Sequence, residues 1–320
     1  MKREPNRSPV LLGFALAFSF LSSQAGAVEL TAGNLSGTLE SPPGKGPFPL
    51  VLIVAGSGPV DRDGNSPKGG LDTDCYKLLA DALAAQGIAT LRYDKRGVGQ
   101  SAVPDLDERL LTVSAFVDDA AAWIQKLWSD PRFSTLTVLG HSEGALVGLL
   151  AAQRIPVDGY ISVAGAGEPL AKLLLGQLEQ HLSPPDYRSA RSIVTNLDRG
   201  IVVRDVPTVL NPVLRPSVQP FLISLFRVNP VEGIAKLRMP VLIVQGGHDL
   251  QVSVDDAQAL AKAAPSARLE ILPNMNHVFK DVEGTSLRDN LETYRDPKHA
   301  VDPRFVDVVT DFVHQLRRQK

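Results

Sequence analysis

The segment from Leu136 to Gln153 constrains the fold of this chain more than any other. A short apolar run, Leu136 to Leu139, ends directly in Gly140-His141-Ser142-Glu143-Gly144, and a small-residue helical pattern, Ala145 to Gln153, follows at once. The string has the form G-x-S-x-G. Here a serine sits on a strained strand-to-helix turn, and its neighbours two residues away have no space for side chains. Such a turn lifts the serine hydroxyl above the sheet and leaves it near the positive end of the next helix. The bland alternative makes Ser142 an ordinary buried turn residue, and the strand–turn–helix context argues against it.

The same alternation repeats along the chain. Leu50 to Ala55 ends in Gly56-Ser57-Gly58-Pro59, and Ile88 to Tyr93 ends in Asp94-Lys95-Arg96-Gly97. Gly159 to Ala164, Val241 to Val244 and Arg268 to Leu272 read as further strands. Helical spacing covers 72–86, Thr112 to Trp128, 255–264 and Phe305 to Leu316. Continuous apolar strands alternating with helices predict an α/β chain whose mostly parallel central sheet is covered on both faces. In such sheets ligands bind at the carboxyl ends of the strands. Between about 167 and 236 the alternation breaks down, with Pro184-Pro185, Pro207, Pro212, Pro216, Pro220 and Pro230 and two apolar helix candidates, Leu170 to Leu182 and Val218 to Val228. That is too long for a structureless loop. It reads as an inserted helical cap, with ordinary crossover helices as the alternative.

The first 27 residues read as an address. Lys2, Arg3 and Arg7 precede an apolar run from Val10 to Leu21, and Ala25-Gly26-Ala27 has A-x-A spacing. This is the pattern of a secretory signal peptide cleaved after Ala27, and it predicts a periplasmic or secreted protein. An uncleaved anchor is the alternative, but the run is short for a bilayer span. No Cys follows it, so a lipoprotein anchor is not supported. The remaining chain, 28–320, is expected to be soluble with no membrane anchor. The whole chain carries 33 Lys+Arg and 35 Asp+Glu, so no charge excess points to nucleic acid. Its one cysteine, Cys75, cannot form an internal disulfide and is expected to be a small buried hydrophobe.

A serine hydroxyl is a weak nucleophile and needs a base, which needs an orienting carboxylate. After a nucleophile elbow the chain order is serine, acid, histidine. The downstream histidines are His181, His248, His277, His299 and His314. Asp249 follows the strand Val241–Val244, and His277 follows the strand Arg268–Leu272, so both stand in strand-end loops. His248 is the rival base, but it adjoins Asp249, and neighbours in a tight turn rarely pair. Asp255 and Asp256 are alternative acids that fit better in the first turn of a helix. The expected catalytic set is therefore Ser142, Asp249 and His277. The oxyanion needs preorganised N–H donors. They are expected from Glu143 and, in the loop after Ala55, from Ser57, with Gly58 as the alternative.

These pieces resemble the α/β-hydrolases, in particular the branch of bacterial esterases and serine-aminopeptidase-like hydrolases. The resemblance covers roughly 35–318. It rests on the segments Ala55–Asn65, Arg92–Ser101, Gly140–Gly144 and Met239–Val252. Where the superfamily usually has His-Gly, this chain has Ala55-Gly56. Arg92, Asp94 and Arg96 match an R-x-D-x-R-G loop expected to brace the turns beside the nucleophile. The resemblance implies a serine hydrolase, a carboxylesterase acting through an acyl-enzyme on a small-molecule ester, with no metal or organic cofactor; the N-terminal pattern adds export.

Alternatives stay open at this stage. An aminopeptidase-like amidase would use the same triad and need an acid for the substrate amino group, for which Glu168, Glu179 and Glu232 are available. A non-catalytic binding protein of the same fold is the other alternative, against which the intact triad and elbow argue. Export argues against a coenzyme A thioesterase, and Ser142 excludes a dehalogenase that needs a carboxylate nucleophile. In the cap, Leu173, Leu174, Leu175, Phe221, Leu222, Ile223, Leu225 and Phe226 suit either an acyl pocket or cap core, and six arginines either an anionic ligand or solvent.

Overall fold

The computed structural model describes residues 26–284 and 286–318. The expected signal segment lies outside them except for Gly26 and Ala27, where the first strand begins. Strands β1 (Gly26–Ala32) and β2 (Leu35–Ser41) form an antiparallel hairpin. Then come β3 (Phe48–Val54), β4 (Ala89–Tyr93), β5 (Phe133–His141), β6 (Gly159–Val163), β7 (Val241–Gly246) and β8 (Arg268–Leu272). They make one sheet in the order β1-β2-β4-β3-β5-β6-β7-β8. From β4 to β8 every pairing is parallel, and β2 runs against its neighbours β1 and β4.

The parallel strands are buried because both faces are covered. Along β3, Leu50, Leu52 and Val54 enter one core while Val51 and Ile53 enter the other. The period of two recurs in β7, where Val241 and Ile243 face one side and Leu242 and Val244 the other. The early helices are α1 (Cys75–Ala85), α2 (Val113–Trp128) and α3 (Glu143–Arg154). Between β6 and β7 run α4 (Leu170–Glu179), α5 (Pro184–Asp198), α6 (Asn211–Leu214), α7 (Gln219–Phe226) and α8 (Pro230–Ile234). The chain closes with α9 (Val254–Ala263), α10 (Leu287–Glu292) and α11 (Pro303–Gln315). Cys75 is buried at the start of α1.

Two elements differ from the sequence expectation. The β1–β2 hairpin was not anticipated, because its apolar residues alternate (Val28, Leu30 and Ala32, then Leu35 and Leu39) in place of the continuous runs by which the other strands were read. Helix α5 begins at the Pro184-Pro185 pair that read as a break. Ser183 caps it by accepting from Asp186 N–H, and proline is tolerated in a first turn, where the missing N–H has no helical partner.

Because six strands run the same way, the loops after β3, β5, β6, β7 and β8 gather at one edge. The loop between β3 and α1 is tied to that after β4. Arg62 pairs with Asp94 at 2.8 Å and Arg92 with Asp63 at 2.7 Å, while Arg96 holds Asp119 of α2 at 2.6 Å. The three residues of the expected brace thus all make ion pairs. Trp123 of α2 is fully buried beneath the sheet, its ring 5.9 Å from Tyr93. Trp123→Ala should cost about 3–5 kcal/mol of stability, read as a lowered urea midpoint.

Candidate active site

Ser142 has φ 54° and ψ −122°, a left-handed conformation that side chains rarely adopt. Its N–H donates to Val163 O of β6 at 2.9 Å. The two motif glycines explain how the turn closes. A Cβ on Gly140 would lie 2.3 Å from Gly144 O, and one on Gly144 would lie 2.2 Å from Val54 O. Either contact would force backbone apart, so β3, β5 and α3 meet this closely only without those side chains. Ser142 stands at the N-terminus of α3, whose N–H groups and dipole favour negative charge there.

The loops after β7 and β8 bring the expected acid and base together. His277 Nδ1 is 2.8 Å from Asp249 Oδ2, and both side chains are almost wholly buried. The Asp249 carboxylate also accepts from Gln251 N–H at 2.7 Å, Val252 N–H at 3.0 Å and Gln245 Nε2 at 3.1 Å. With Asp249 accepting the Nδ1 proton, Nε2 is left as the basic nitrogen. The His277 ring lies 4.6 Å from that of His141, next to the serine in sequence. Among the described residues Ser142 Oγ makes no hydrogen bond to His277, as is common in unliganded sites.

The other histidines are engaged elsewhere. His248 Nδ1 meets Val282 O at 3.1 Å, His299 Nε2 meets Asp281 O at 2.9 Å, and His314 Nε2 meets Gln86 O at 3.0 Å. His181 is exposed but also borders the cavity beside Ser142. Asp256 caps α9 with Ser253 and accepts from Gly167 N–H at 2.8 Å. Asp255 is in the first turn of that helix.

Ser142 opens on a cavity of about 430 Å³ between the strand ends and the β6–β7 helices. Leu173, Leu174, Leu222, Leu225 and Phe226 line it, whereas Phe221 packs edge-to-face with Phe116, ring centres 5.5 Å apart. Ser57 and Glu143 lie on the wall; Gly58 does not. None of the arginines between β6 and β7 reaches it, nor do Glu168, Glu179 or Glu232. Among the described residues the N–H groups of Ser57 and Glu143 have no protein acceptor.

Two polar residues at this edge escaped sequence reasoning. Tyr76 Oη accepts from Gly56 N–H at 2.9 Å and lies 2.7 Å from His141 Nδ1. Lys95 Nζ, buried, donates to the carbonyls of Gly56 and Gly58. Lys95 lies inside the recognised loop after β4, but nothing local marks it apart from its neighbours.

A mostly parallel sheet, helices on both faces and a serine on a strained strand–helix turn define an α/β-hydrolase. The chain belongs to the serine aminopeptidase S33 family, whose sequence profile matches residues 70–281. It is similar to Esterase EstD of Thermotoga maritima, 27% identical over 272 residues, an alignment covering 81% of this chain. The alignment takes in 61% of that relative, so the chain spans about three fifths of its length. In structure it is similar to Est1E from Butyrivibrio proteoclasticus, solved with ferulic acid, with a TM-score of 0.59 at 17% identity over 90% of this chain and 100% of that one. It is also similar to proline iminopeptidase from Mycobacterium smegmatis, with a TM-score of 0.55 at 19% identity over 91% and 98% of the two chains. These structural likenesses establish the fold.

Burial, followed by the neighbouring His277, holds His141 well below the usual 6.5 of a histidine. The unfolded chain then takes up a proton near that pH and the folded chain does not, so stability is full above about 6.5 and declines below it. Asp249 acts lower on the scale. Burial alone would raise it, but the His277 charge and hydrogen bond, with the N–H groups of Val252 and Gln251, hold it below 3.8. The urea midpoint should be flat between about pH 7 and 8 and fall steadily from about 6.5 to 5. His141→Gln should flatten that part of the profile.

Proposed function

We propose that this chain is an exported serine hydrolase that cleaves carboxylic esters through an acyl-enzyme on Ser142. The observation that carries the reading is the buried His277–Asp249 pair, 2.8 Å apart, at the same sheet edge as a serine held at positive φ. His277 takes the proton of Ser142 as its oxygen attacks the ester carbonyl. Asp249 keeps the imidazole in the needed tautomer and balances the imidazolium. The N–H groups of Glu143 and Ser57, both free of protein acceptors, receive the oxyanion. His277 then protonates the leaving alcohol, and a water activated by the same imidazole releases the acid.

An ester, not a peptide, is supported by the cavity wall and by the similarity to Esterase EstD. An aminopeptidase would need a carboxylate to hold the substrate amino group, and among the described residues Glu143 is the only acidic side chain on the wall. The wall is otherwise largely apolar and suits the acyl chain of a small ester.

The test is turnover of p-nitrophenyl esters from acetate to palmitate. Short and medium chains should be cleaved, and Ser142→Ala or His277→Ala should lower kcat by about 10⁴–10⁶-fold, with Asp249→Ala at the lower end. Activity surviving in Ser142→Ala removes the mechanism. Turnover of aminoacyl amides in place of esters would move the chain to the amidase reading.

Export rests on the basic, apolar and small-residue order of the first 27 residues. Mass spectrometry of the protein recovered outside the cytoplasm should read Val28 as the first residue. An intact Met1 terminus in the membrane fraction would refute cleavage.

A further inference from the structure

We infer that Lys95 is a positioning residue that aims and polarises the Ser57 N–H as the second oxyanion donor. This rests on the ester-hydrolase reading above and assigns a role to a residue outside the triad. The Gly56 carbonyl and the Ser57 N–H belong to one peptide unit. That unit is trans, because Gly46–Pro47 is the only cis bond among the described residues. In a planar trans peptide the C=O and N–H point in opposite directions. An ammonium fixed on the Gly56 carbonyl therefore turns the Ser57 N–H the opposite way, and Ser57 stands on the cavity wall with Ser142 and Glu143.

Lys95 also donates to Gly58 O at 2.6 Å, so the carbonyls of the residues on either side of Ser57 are held by one nitrogen. Tyr76 Oη takes the Gly56 N–H at 2.9 Å from the other side. The loop has no freedom to rotate that peptide unit without breaking one of these bonds. It also passes close to the nucleophile: a Cβ on Gly56 would lie 3.3 Å from Ser142 Cβ.

Charge adds to aim. A positive group on the carbonyl end draws electron density through the amide and makes its N–H a stronger donor to a developing oxyanion. Burying an ammonium is costly unless it is compensated. Among the described residues Lys95 makes no ion pair within 4.0 Å, and its partners are backbone carbonyls of this loop. Burial lowers its pKa, and the charge of Glu143 opposes that shift and favours the protonated lysine.

The experiment compares wild type, Lys95→Met and Lys95→Gln on a p-nitrophenyl ester and on the matching thionoester, with folding checked by circular dichroism. Sulfur accepts hydrogen bonds poorly, so a thionoester gains little from an oxyanion donor. Lys95→Met should lower kcat on the ester about 100-fold with KM within about threefold. The ester-to-thionoester rate ratio should shrink by about tenfold. Lys95→Gln keeps the length and one donor group, and should lose about tenfold in kcat. A folded Lys95→Met with wild-type kcat overturns the inference, as does an equal loss on both substrates, the signature of a merely structural role. If Lys95→Met does not fold, the Gln variant carries the same ratio test. A wild type that cleaves no ester overturns the ester reading and takes this inference with it.

Discussion

The absence of two side chains holds the active edge together. Gly144 approaches Val54 O and Gly140 approaches Gly144 O so closely that a methyl group at either place would lie little more than 2 Å from backbone. This contact locks the end of β3, the end of β5 and the start of α3 into one knot. Its consequences spread outward. The turn after β3 is brought beside the serine, and α3 lies flat on the sheet. Gly148 continues the theme one turn later, since a Cβ there would lie 2.9 Å from Val138 Cγ1. The strained φ of Ser142 persists because all these neighbours oppose its relaxation.

The acid and base loops are joined by the same device. A Cβ on Gly246 would lie 2.1 Å from Met275 O, and one on Gly247 would lie 2.3 Å from Pro273 O. Hydrogen bonds stitch the contact, with His248 N–H on Met275 O at 3.0 Å and Gly247 N–H on Leu272 O at 2.8 Å. Asp249 and His277 thus face each other because the stretches of chain just before them, 246–248 and 272–275, are in backbone contact.

Much of this was legible because it is local. The apolar runs of β3 to β8 announce themselves by composition, and the elbow by its spacing, so the parallel sheet and the positions of Ser142, Asp249 and His277 followed from strand ends alone. The hairpin of β1 and β2 was passed over, since its first strand alternates Val28, Leu30 and Ala32 with Glu29 and Thr31 and has no continuous apolar run. Helix α5 was hidden by its own starting prolines. Tyr76 and Lys95 were hidden for a different reason. Each acts on Gly56, 20 and 39 residues away, and nothing in its immediate neighbours records that contact.

The helices between β6 and β7 supply much of the apolar wall of the cavity, yet the serine, the imidazole, the carboxylate and both free N–H groups lie on the sheet edge. On the proposed reading, reaction and recognition are therefore written in separate stretches of chain. Substitutions at Leu173, Leu222 or Phe226 reshape the chamber without touching a group that moves a proton. A lineage carrying this scaffold can wander among substrates by changing its roof, while the floor, crowded to the last methyl, stands still.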